Sequence, residues 1–541
     1  MSSTLERRTA VLDSEHAGDI RGALGTIRLD DATPRRGHSA YFKTLLAIIG
    51  PGLIVMTGDN DAGAFATYGQ AGQDYGTRLL WVLLLLVPVL YVNQEMVLRL
   101  GAVTGVGHAR LILERFGKFW GAFSVIDLFI LNALTIITEF IGITLAASYL
   151  GVPKIAAVAL AAMVIIGAAF TGSFRRFERM AIGLCAGTLL LVPLYFLSHP
   201  AASQMGRGFV TLALPGRSGQ LATVMLLVIG IVGTTVAPWQ LFFQQSYVID
   251  KRITPRFIRY EKADLWIGIV VVVLGAAAVM GLTAAAFAGH HGDFKNAADL
   301  AVGLQVHAGR IAGVLFAVAL LDASIIGAFA VSLSTAYALG DVFGLKHSLH
   351  RGVKGAKGFY AIYGGLVLAA AAVVLIPGSP LGLLTEGVQA LAGVLLPSAA
   401  IYLLLLCNDR EVLGPWVNGR RTNLFTGTVV AVLVALSVIL TASVLDPAIT
   451  ARQIMIILAA CCGAAALGGL SVVAWRLRTG TLAAAAIDRA GRENWRMPQL
   501  ALLNRPRVPL GRKIGMSILR SYLAVATVLV AVKIIQLALG H

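Results

Sequence analysis

The chain has 541 residues, of which 57% are hydrophobic and 13% are charged, and its mean hydropathy is +0.80. A water-soluble domain of this size could not expose so apolar a composition, so the sequence predicts an integral membrane protein. The formal net charge of +17 would suit nucleic-acid binding, but the Lys and Arg residues lie in short links between apolar runs. We therefore expect basic loops around a lipid bilayer and no nucleic-acid partner.

The first 42 residues are polar and lack the apolar core of a signal peptide, and we expect them to form a disordered cytosolic tail. Apolar runs of about 20 residues, the length of a membrane-spanning helix, then recur along the chain. Thirteen are predicted, near residues 43–70, 78–98, 119–149, 154–172, 180–198, 219–247, 264–289, 306–340, 358–376, 385–406, 424–445, 452–475 and 516–539. The expected divisions are a tail at 1–42, a core at 43–406, further helices at 407–475, a cytosolic linker at 476–515 and a final helix at 516–541.

Basic residues mark alternate links, which orients the spans because Lys and Arg are retained on the cytosolic side. Links after the even-numbered spans are basic, as at 175–179 and 251–262, and are expected inside. Links after the odd-numbered spans hold few basic residues and are expected outside. We therefore expect a multi-pass protein of the plasma or inner membrane with a cytosolic amino terminus.

The first span is interrupted by polar residues and glycines at the depth where the bilayer is driest. Its segment TGDNDAGAFATYG, residues 57–69, contains Asp59 and Asp61 between glycines. An ionised aspartate at mid-membrane costs about 2.5–3.5 kcal/mol, so both must face a polar cavity, a partner or a cation. We predict an unwound break with freed carbonyls, with Asp61 facing the cation and Asp59 either facing it or capping the following half-helix.

The sixth span contains a matching interruption, VGTTVAPWQLFFQQS, at residues 232–246. Pro238 has no amide proton, which frees a carbonyl near Thr234, and the small Ala237 leaves volume beside it. The two interruptions lie five spans apart, so their helices run in opposite directions across the membrane. This arrangement predicts two inverted repeats, spans 1–5 and 6–10, with a site where the broken helices meet.

Further polar residues within the spans could complete or support this site. They are Glu139 in the third span, Gln240 in the sixth, Asp322 in the eighth and Gln389 in the tenth. Buried acids need partners, whereas each glutamine could equally make an interhelical hydrogen bond. Carboxylates, carbonyls and amides form a hard all-oxygen site that suits magnesium, calcium or manganese better than copper or zinc.

Three segments resemble the Nramp divalent-metal transporters: GPGLIVMTGDNDAGAFATYGQAG at 50–72, RLGAVTGVGHARLI at 99–112 and TEFIG at 138–142. The resemblance covers roughly residues 45–406. It implies an all-α LeuT-type fold with two inverted five-helix repeats, discontinuous first and sixth helices, and two or three additional carboxy-terminal helices.

The resemblance also implies metal ligands, and this chain departs from the family's pattern at several of them. The family's first-helix Asp-Pro-Gly-Asn falls on residues 61–64, where Ala64 replaces the coordinating asparagine. The sixth-helix Met-Pro-His falls on residues 237–239, where Ala237 and Trp239 replace the thioether and the imidazole. Thr234 stands where the family has an alanine whose carbonyl binds metal.

The third helix carries the family's proton pathway, and here too the chain differs. Glu139 matches the glutamate implicated in proton transfer, whereas Ile136 replaces its companion aspartate. The resemblance is therefore to the branch known as Nramp-related magnesium transporters. The predicted cation ligands are Asp61, Asp59, Gly58, Ala64, Thr234, Ala237 and Gln389, and the supporting or pathway residues are Glu139, Gln240, Trp239 and Asp322.

The predicted function is magnesium uptake by alternating access without proton coupling, by a monomer that has divalent metal ions as its substrate, no resident cofactor and no catalytic residue. A membrane potential supplies about 4.6 kcal/mol per 100 mV to a divalent ion, so no proton is required. The main alternative is a proton-coupled manganese or iron importer. An alternative of another class, an intramembrane aspartyl protease, would need Asp322 opposite Asp61, because Asp59 and Asp61 share one short segment.

Overall fold

A computed structural model of the protein describes residues 11–31, 33–212, 214, 221–287, 297–377, 381–446, 449–478 and 488–504, with single positions between 517 and 532. The first α-helices are α1 His38–Ile48, α2 Pro51–Thr57, α3 Ala62–Tyr75, α4 Leu80–Thr104, α5 His108–Phe116, α6 Lys118–Tyr149, α7 Lys154–Ala169, α8 Phe174–Cys185, α9 Leu191–Ser198 and α10 Ala202–Val210. They continue with α11 Leu221–Thr235, α12 Pro238–Asp250, α13 Ile258–Ala286, α14 Ala297–Ala308, α15 Arg310–Phe343, α16 Lys357–Val374, α17 Leu381–Cys407, α18 Arg410–Leu413, α19 Arg420–Leu445 and α20 Ala451–Arg478.

The membrane spans agree closely with the apolar runs of the sequence. Among the described residues, ten helices are long and apolar enough to cross a membrane, and the pair α1–α2, bent by 55°, makes eleven if it forms one span. The fourth expected span corresponds to α7, which is apolar but only 16 residues long. Twelve of the predicted spans therefore coincide with helices, and the thirteenth, 516–539, falls in a stretch of which only single positions are described.

The first half of the first broken span, α2, is fixed at its amino-terminal end. Pro51 occupies its first turn, where the missing amide proton costs nothing. The Asp264 carboxylate of α13 accepts hydrogen bonds from the amides of Gly50 (3.1 Å), Gly52 (2.7 Å) and Leu53 (3.2 Å). These are the amides that a helix start leaves without internal partners, and they favour a negative charge. Asp264 therefore ties α2 to α13 separately from α3.

The helices that carry the site are held by two long contacts. α13 lies against α2, α3 and α4, and α15 runs along α6. At Gly52 the backbone of α2 approaches α13 so closely that a Cβ atom would lie 2.6 Å from the amide nitrogen of Leu265. Only glycine permits this approach, which keeps the break of the first span beside α13.

A buried ion pair lies at the same end of the bundle. Lys251, which the sequence counts among the basic link residues, ends up fully buried at the end of α12. Its Nζ lies 2.6 Å from Oε1 of the buried Glu178 and donates to the carbonyl of Ile49 at 2.8 Å. An unpaired charge at this depth would be costly, so each residue depends on the other.

Residues 11–31 are ordered against this end of the bundle, so the expectation of a disordered tail is wrong for them. Strands β1 (Ile20–Arg21) and β2 (Thr26–Ile27) form an antiparallel hairpin with Ile20 and Ile27 buried. Asp13 lies 2.7 Å from Arg351, and the Ala23 amide donates to Glu178 at 2.6 Å. The polar composition of the tail gives no indication of these partners, which lie far away in the sequence. Helix α1 also begins five residues before the predicted start of the core at residue 43.

Candidate functional site

The first span is broken between α2 and α3, as the sequence predicts. α2 ends at Thr57, and Asp61 is the N-cap of α3, where its Oδ1 accepts the Ala64 amide at 2.8 Å. The Ala62 amide donates to Oε2 of Glu139 at 3.2 Å, whereas a continuous helix would direct it to the carbonyl of Gly58. Within the described residues that carbonyl accepts no hydrogen bond. The break thus frees a carbonyl beside two aspartates.

Asp59 and Asp61 differ in their surroundings. The sequence left open whether Asp59 faces a cation or caps α3. In the structure the residue that caps α3 is Asp61. Both carboxylate oxygens of Asp59 are buried without a hydrogen-bond partner among the described residues, and the residue is fully inaccessible. A buried carboxylate in this state lacks the compensation that buried charges require. Asp59 therefore requires a bound cation more strongly than Asp61 does.

The second break separates α11 from α12. α11 ends at Thr235, and Ala237 is the N-cap of α12 with φ −93° and ψ 145°. Pro238 cannot donate to the carbonyl of Thr234, and the hydroxyl of Thr234 is buried without a described partner. The Thr235 hydroxyl lies 2.7 Å from that of Tyr68, which joins α11 to α3.

The two breaks face each other. A Cβ atom on Gly58 would lie 3.5 Å from the Trp239 ring, so the end of α2 lies against the start of α12. The amide nitrogen of Gln389, on α17, occupies the space that a Cβ atom on Gly63 would need, and the backbone carbonyl oxygen of Gln389 would lie 2.5 Å from a Cβ atom on Gly233. Gln389 is therefore placed between the two broken helices, as a ligand or a bridge would be.

The other predicted residues differ in what they can contribute to the site. Ala64 and Ala237 are buried and can contribute backbone atoms only, and the amide of Ala64 is already used by Asp61. Gln240 accepts a hydrogen bond from Gln94 at 3.1 Å and so links α12 to α4 next to the break. Asp322 instead contacts Gly187 in the turn between α8 and α9, and no described contact joins it to either break.

The break also contains one polar residue that the sequence reasoning did not single out. The Asn60 side chain donates to the carbonyl of Val272 at 3.2 Å, while its Oδ1 is buried without a described partner. Glu139, which the sequence did single out, also keeps Oε1 buried without a described hydrogen-bond partner. Asn60 sits inside the TGDNDAG segment, so its position was the available signal.

The donor set is rich in oxygen and poor in softer atoms. Among the described residues, no group of three or more His, Cys, Asp or Glu side chains is arranged to hold a metal ion. A cation here would depend on Asp59 or Asp61 together with carbonyl and amide oxygens. Met56, the sulfur nearest in sequence, lies against Gly268 of α13. This set favours a hard cation.

Comparison with known proteins gives a consistent family. Residues 52–443 match the family described as Nramp, natural resistance-associated macrophage protein-like. The chain is 30% identical over 409 residues to a protein of Ralstonia nicotianae named divalent metal cation transporter MntH, covering 72% of this chain and 90% of that one. A protein of the same name from Xylella fastidiosa is 28% identical over 462 residues, covering 81% and 91%.

Solved structures show the same fold at low sequence identity. The manganese transporter of Eremococcus coleocola, in complex with an aromatic bis-isothiourea substituted compound, has a TM-score of 0.61 and 19% identity, covering 83% of this chain and 98% of that one. A mutant of that transporter gives a TM-score of 0.63 and covers 85% and 97%. The all-α LeuT-type fold expected from the sequence is confirmed by these structures, and the two inverted repeats are consistent with it.

Proposed function

Because this chain belongs to the Nramp family, we propose that it carries a divalent metal cation across a membrane and that this cation is magnesium. The observation that carries the proposal is the state of Asp59, whose two oxygens are buried and unpartnered beside the freed carbonyl of Gly58. A cation bound between the breaks would supply the missing charge. Asp61, the Thr234 carbonyl and the Gln389 amide complete an oxygen donor set around it.

The choice of magnesium rests on the donors at the second break. Ala237 and Trp239 stand where the family resemblance places a thioether and an imidazole, and Met56 lies against α13 instead. Without a soft ligand the site has no means of favouring manganese or iron over the far more abundant magnesium. Magnesium gives up its water reluctantly, and carbonyl and amide oxygens can bind it through retained waters.

The absence of proton coupling is the second part of the proposal. Ile136 is fully buried and apolar where the resemblance places an aspartate, and Trp239 cannot carry a proton as a histidine would. Glu139 remains, but its Oε2 supports the break by accepting the Ala62 amide. The ion gradient and the membrane potential, about 4.6 kcal/mol per 100 mV for a divalent ion, would drive uptake alone.

We assign transport to residues 43–406. Helices α19 and α20, and the segment that follows them, are not part of the proposed carrier. The amino terminus is proposed to lie in the cytosol, since the basic links share its side. The protein would function as a monomer in the plasma or inner membrane.

A proton-coupled manganese or iron importer remains the second candidate. The relatives named divalent metal cation transporter MntH and the manganese transporter structures favour it. It differs from the first candidate in two measurable ways, because it requires acidification during transport and poor competition by magnesium. An aspartyl protease has no such support, since Asp322 lies against Gly187.

The deciding experiment is ion influx into proteoliposomes that enclose a magnesium dye and a pH dye. Wild type is compared with Asp61→Asn, which keeps an oxygen to cap α3 but removes the charge, and with Asp74→Asn as a matched control in the same helix. We expect magnesium entry without acidification in wild type and in Asp74→Asn, and its loss in Asp61→Asn. Manganese entry with acidification, and no magnesium entry, would establish the second candidate instead.

A further inference from the structure

A cavity of about 10 Å³ lies beside the second break, between α6, α12 and α17. Its volume is roughly that of one water molecule. The wall includes Pro238 and Phe242, which lie one turn apart at the start of α12. The cavity therefore adjoins the proposed site and follows α12 away from it.

Three side chains in the cavity wall carry oxygen atoms, namely Ser124 and Asp127 on α6 and Ser398 on α17. In the part of the chain that the structure describes, none of these side chains makes a hydrogen bond or an ion pair with the protein. Ser124 and Asp127 are three residues apart, so they share one face of α6. One carboxylate and two hydroxyl groups, none of them hydrogen-bonded to a described residue, thus line the same cavity.

An uncommitted carboxylate within a membrane span requires an explanation. Its ionised form costs about 2.5–3.5 kcal/mol at the bilayer centre unless a polar cavity, a partner or an ion compensates it. Asp127 has no such protein partner, and the cavity wall contains no sulfur and no imidazole. Carboxylate and hydroxyl oxygens are ligands for hard cations such as magnesium or calcium.

The position of Asp127 along α6 places the cavity between the two breaks and the basic end of the helix. Asp127 precedes Glu139 by twelve residues, about 18 Å along a helix, and follows Lys118 by nine, about 14 Å. Glu139 contacts the first break, whereas Lys118 begins the helix at the side of the basic links. An ion leaving the breaks along α12 would meet Asp127 before it reached that surface.

We propose that Ser124, Asp127 and Ser398 form a second cation site, through which the transported divalent ion passes between the breaks and the basic side of the protein. The inference rests on the proposed transport function. With one carboxylate instead of two, the second site binds the ion more weakly than the breaks do. A weaker site next to a stronger one gives the ion a step toward release, because an ion must bind well enough to enter and loosely enough to leave.

The test measures bound ions and influx separately. Equilibrium dialysis with Mg²⁺ and purified full-length protein is expected to find two ions per chain in wild type and one in either Asp127→Asn or Asp61→Asn. In proteoliposomes Asp127→Asn should lower magnesium influx by about tenfold or more, equivalent to at least 1.4 kcal/mol. Ser398→Ala should lower it by a smaller factor, while Asp74→Asn and Ser148→Ala serve as matched controls and should match wild type.

Unchanged influx and unchanged ion binding in Asp127→Asn would overturn the second site. If Asp127→Asn does not fold, Ser398→Ala decides, and wild-type influx and stoichiometry in that variant have the same consequence. A variant that alters acidification but not the number of bound ions would assign the carboxyl group to protons and also reject the site. If wild type carries Mn²⁺ and not Mg²⁺, with the same dependence on Asp127, the magnesium proposal fails and the second site stands.

Discussion

The amide of Ala62 donates its hydrogen bond to the carboxylate of Glu139, 3.2 Å away on α6, and not to the carbonyl of Gly58. A side chain from another helix thereby replaces a backbone acceptor at the point where α2 and α3 separate. The Ala62 amide thereby keeps a hydrogen-bond acceptor. The Gly58 carbonyl, which has lost its helical donor, can face an ion. Glu139 therefore supports the shape of the break whether or not it moves a proton.

Substitution of Glu139 should separate its hydrogen bond from its charge. Glu139→Gln retains an oxygen for the Ala62 amide, and we expect near-normal thermal stability and magnesium influx without proton movement. Glu139→Ala leaves a buried amide unsatisfied, at a cost of about 1–3 kcal/mol, and should lower both stability and influx. Melting temperature in detergent and influx in proteoliposomes measure the two effects. Equal loss of influx in both variants would mean that the charge, and not the hydrogen bond, is required.

Asp59→Asn should affect stability and binding in opposite directions. Both oxygens of Asp59 are buried without a described partner, so removing the charge relieves the metal-free protein of a desolvation penalty. We expect a melting temperature raised by roughly 1 °C without metal, for a gain of about 1 kcal/mol in a chain of 541 residues. The further stabilisation that Mg²⁺ gives to wild type should disappear.

Thermal shift with and without Mg²⁺ measures both parts, and Asp74→Asn is the matched control. A metal-free variant less stable than wild type, with its Mg²⁺ response intact, would show that Asp59 has a protein partner and does not bind the ion.

Ala237→Met should restore a soft ligand at the second break. Ala237 is buried at the N-cap of α12, where a thioether would reach the space between the helices. Sulfur favours cadmium and manganese relative to magnesium. We expect Cd²⁺ to compete with magnesium influx about tenfold better than in wild type, a change of roughly 1.4 kcal/mol.

The size of the new side chain requires its own control, because overpacking a buried position is destabilising. Ala237→Leu adds a similar volume without sulfur and should lower influx without changing the preference between ions. If both variants change cadmium competition equally, volume and not the thioether sets selectivity.

The two breaks could be predicted because their signals are local. Asp59 and Asp61 among glycines, and Pro238 in an apolar run, are incompatible with a continuous lipid-facing helix wherever they occur. The sequence could not decide which aspartate caps α3, because that depends on the exact backbone path through the break. Asp322 carried the same composition signal as Glu139 but faces α8 and α9.

Contacts between distant parts of the chain could not be predicted in this way. Asp264 caps α2 from more than 200 positions away, and the Glu178–Lys251 pair joins α8 to the end of α12. No periodicity or spacing encodes such pairings. The tail at 11–31 was assigned to disorder for the same reason, because its polar groups have their partners on other segments.

The docking of residues 11–31 should depend on the ion pair between Asp13 and Arg351. Three hydrogen bonds of 2.7–3.0 Å join the two side chains. Burial opposes the charge, but the bonds from Arg351 and from the Glu15 amide hold the pKa of Asp13 below its ordinary value. Arg351→Ala should cost about 1.5–3 kcal/mol and increase hydrogen exchange throughout the segment.

Hydrogen exchange followed by mass spectrometry measures this effect on each peptide. Lys354→Ala, an exposed position in the same link, is the control and should leave the segment protected. Unchanged protection in Arg351→Ala would mean that the apolar contacts of Ile20 and Ile27 hold the segment without the ion pair.

The pairing of His347 with Asp341 should make stability depend on pH in the alkaline range. Burial lowers the tendency of His347 to ionise, but the Asp341 carboxylate 3.0 Å away outweighs it and raises the pKa of His347 to about 9. Asp250 also favours the charged form of His347, while burial lowers the pKa of His16, whose ring lies 5.3 Å from that of His347.

A histidine whose pKa is raised on folding contributes stability below its unfolded pKa, near 6.5, and loses it as the pH rises through the folded value. The difference in melting temperature between wild type and His347→Gln should therefore be greatest near pH 6. It should decrease as the pH rises from 6.5 and become negligible somewhat above pH 9. Scans in detergent at each pH provide the measurement, and the exposed His38→Gln is the matched control. A difference that stays constant from pH 6 to pH 10 would show that His347 stabilises the fold through packing, because only the contribution of a charged imidazole to stability depends on pH.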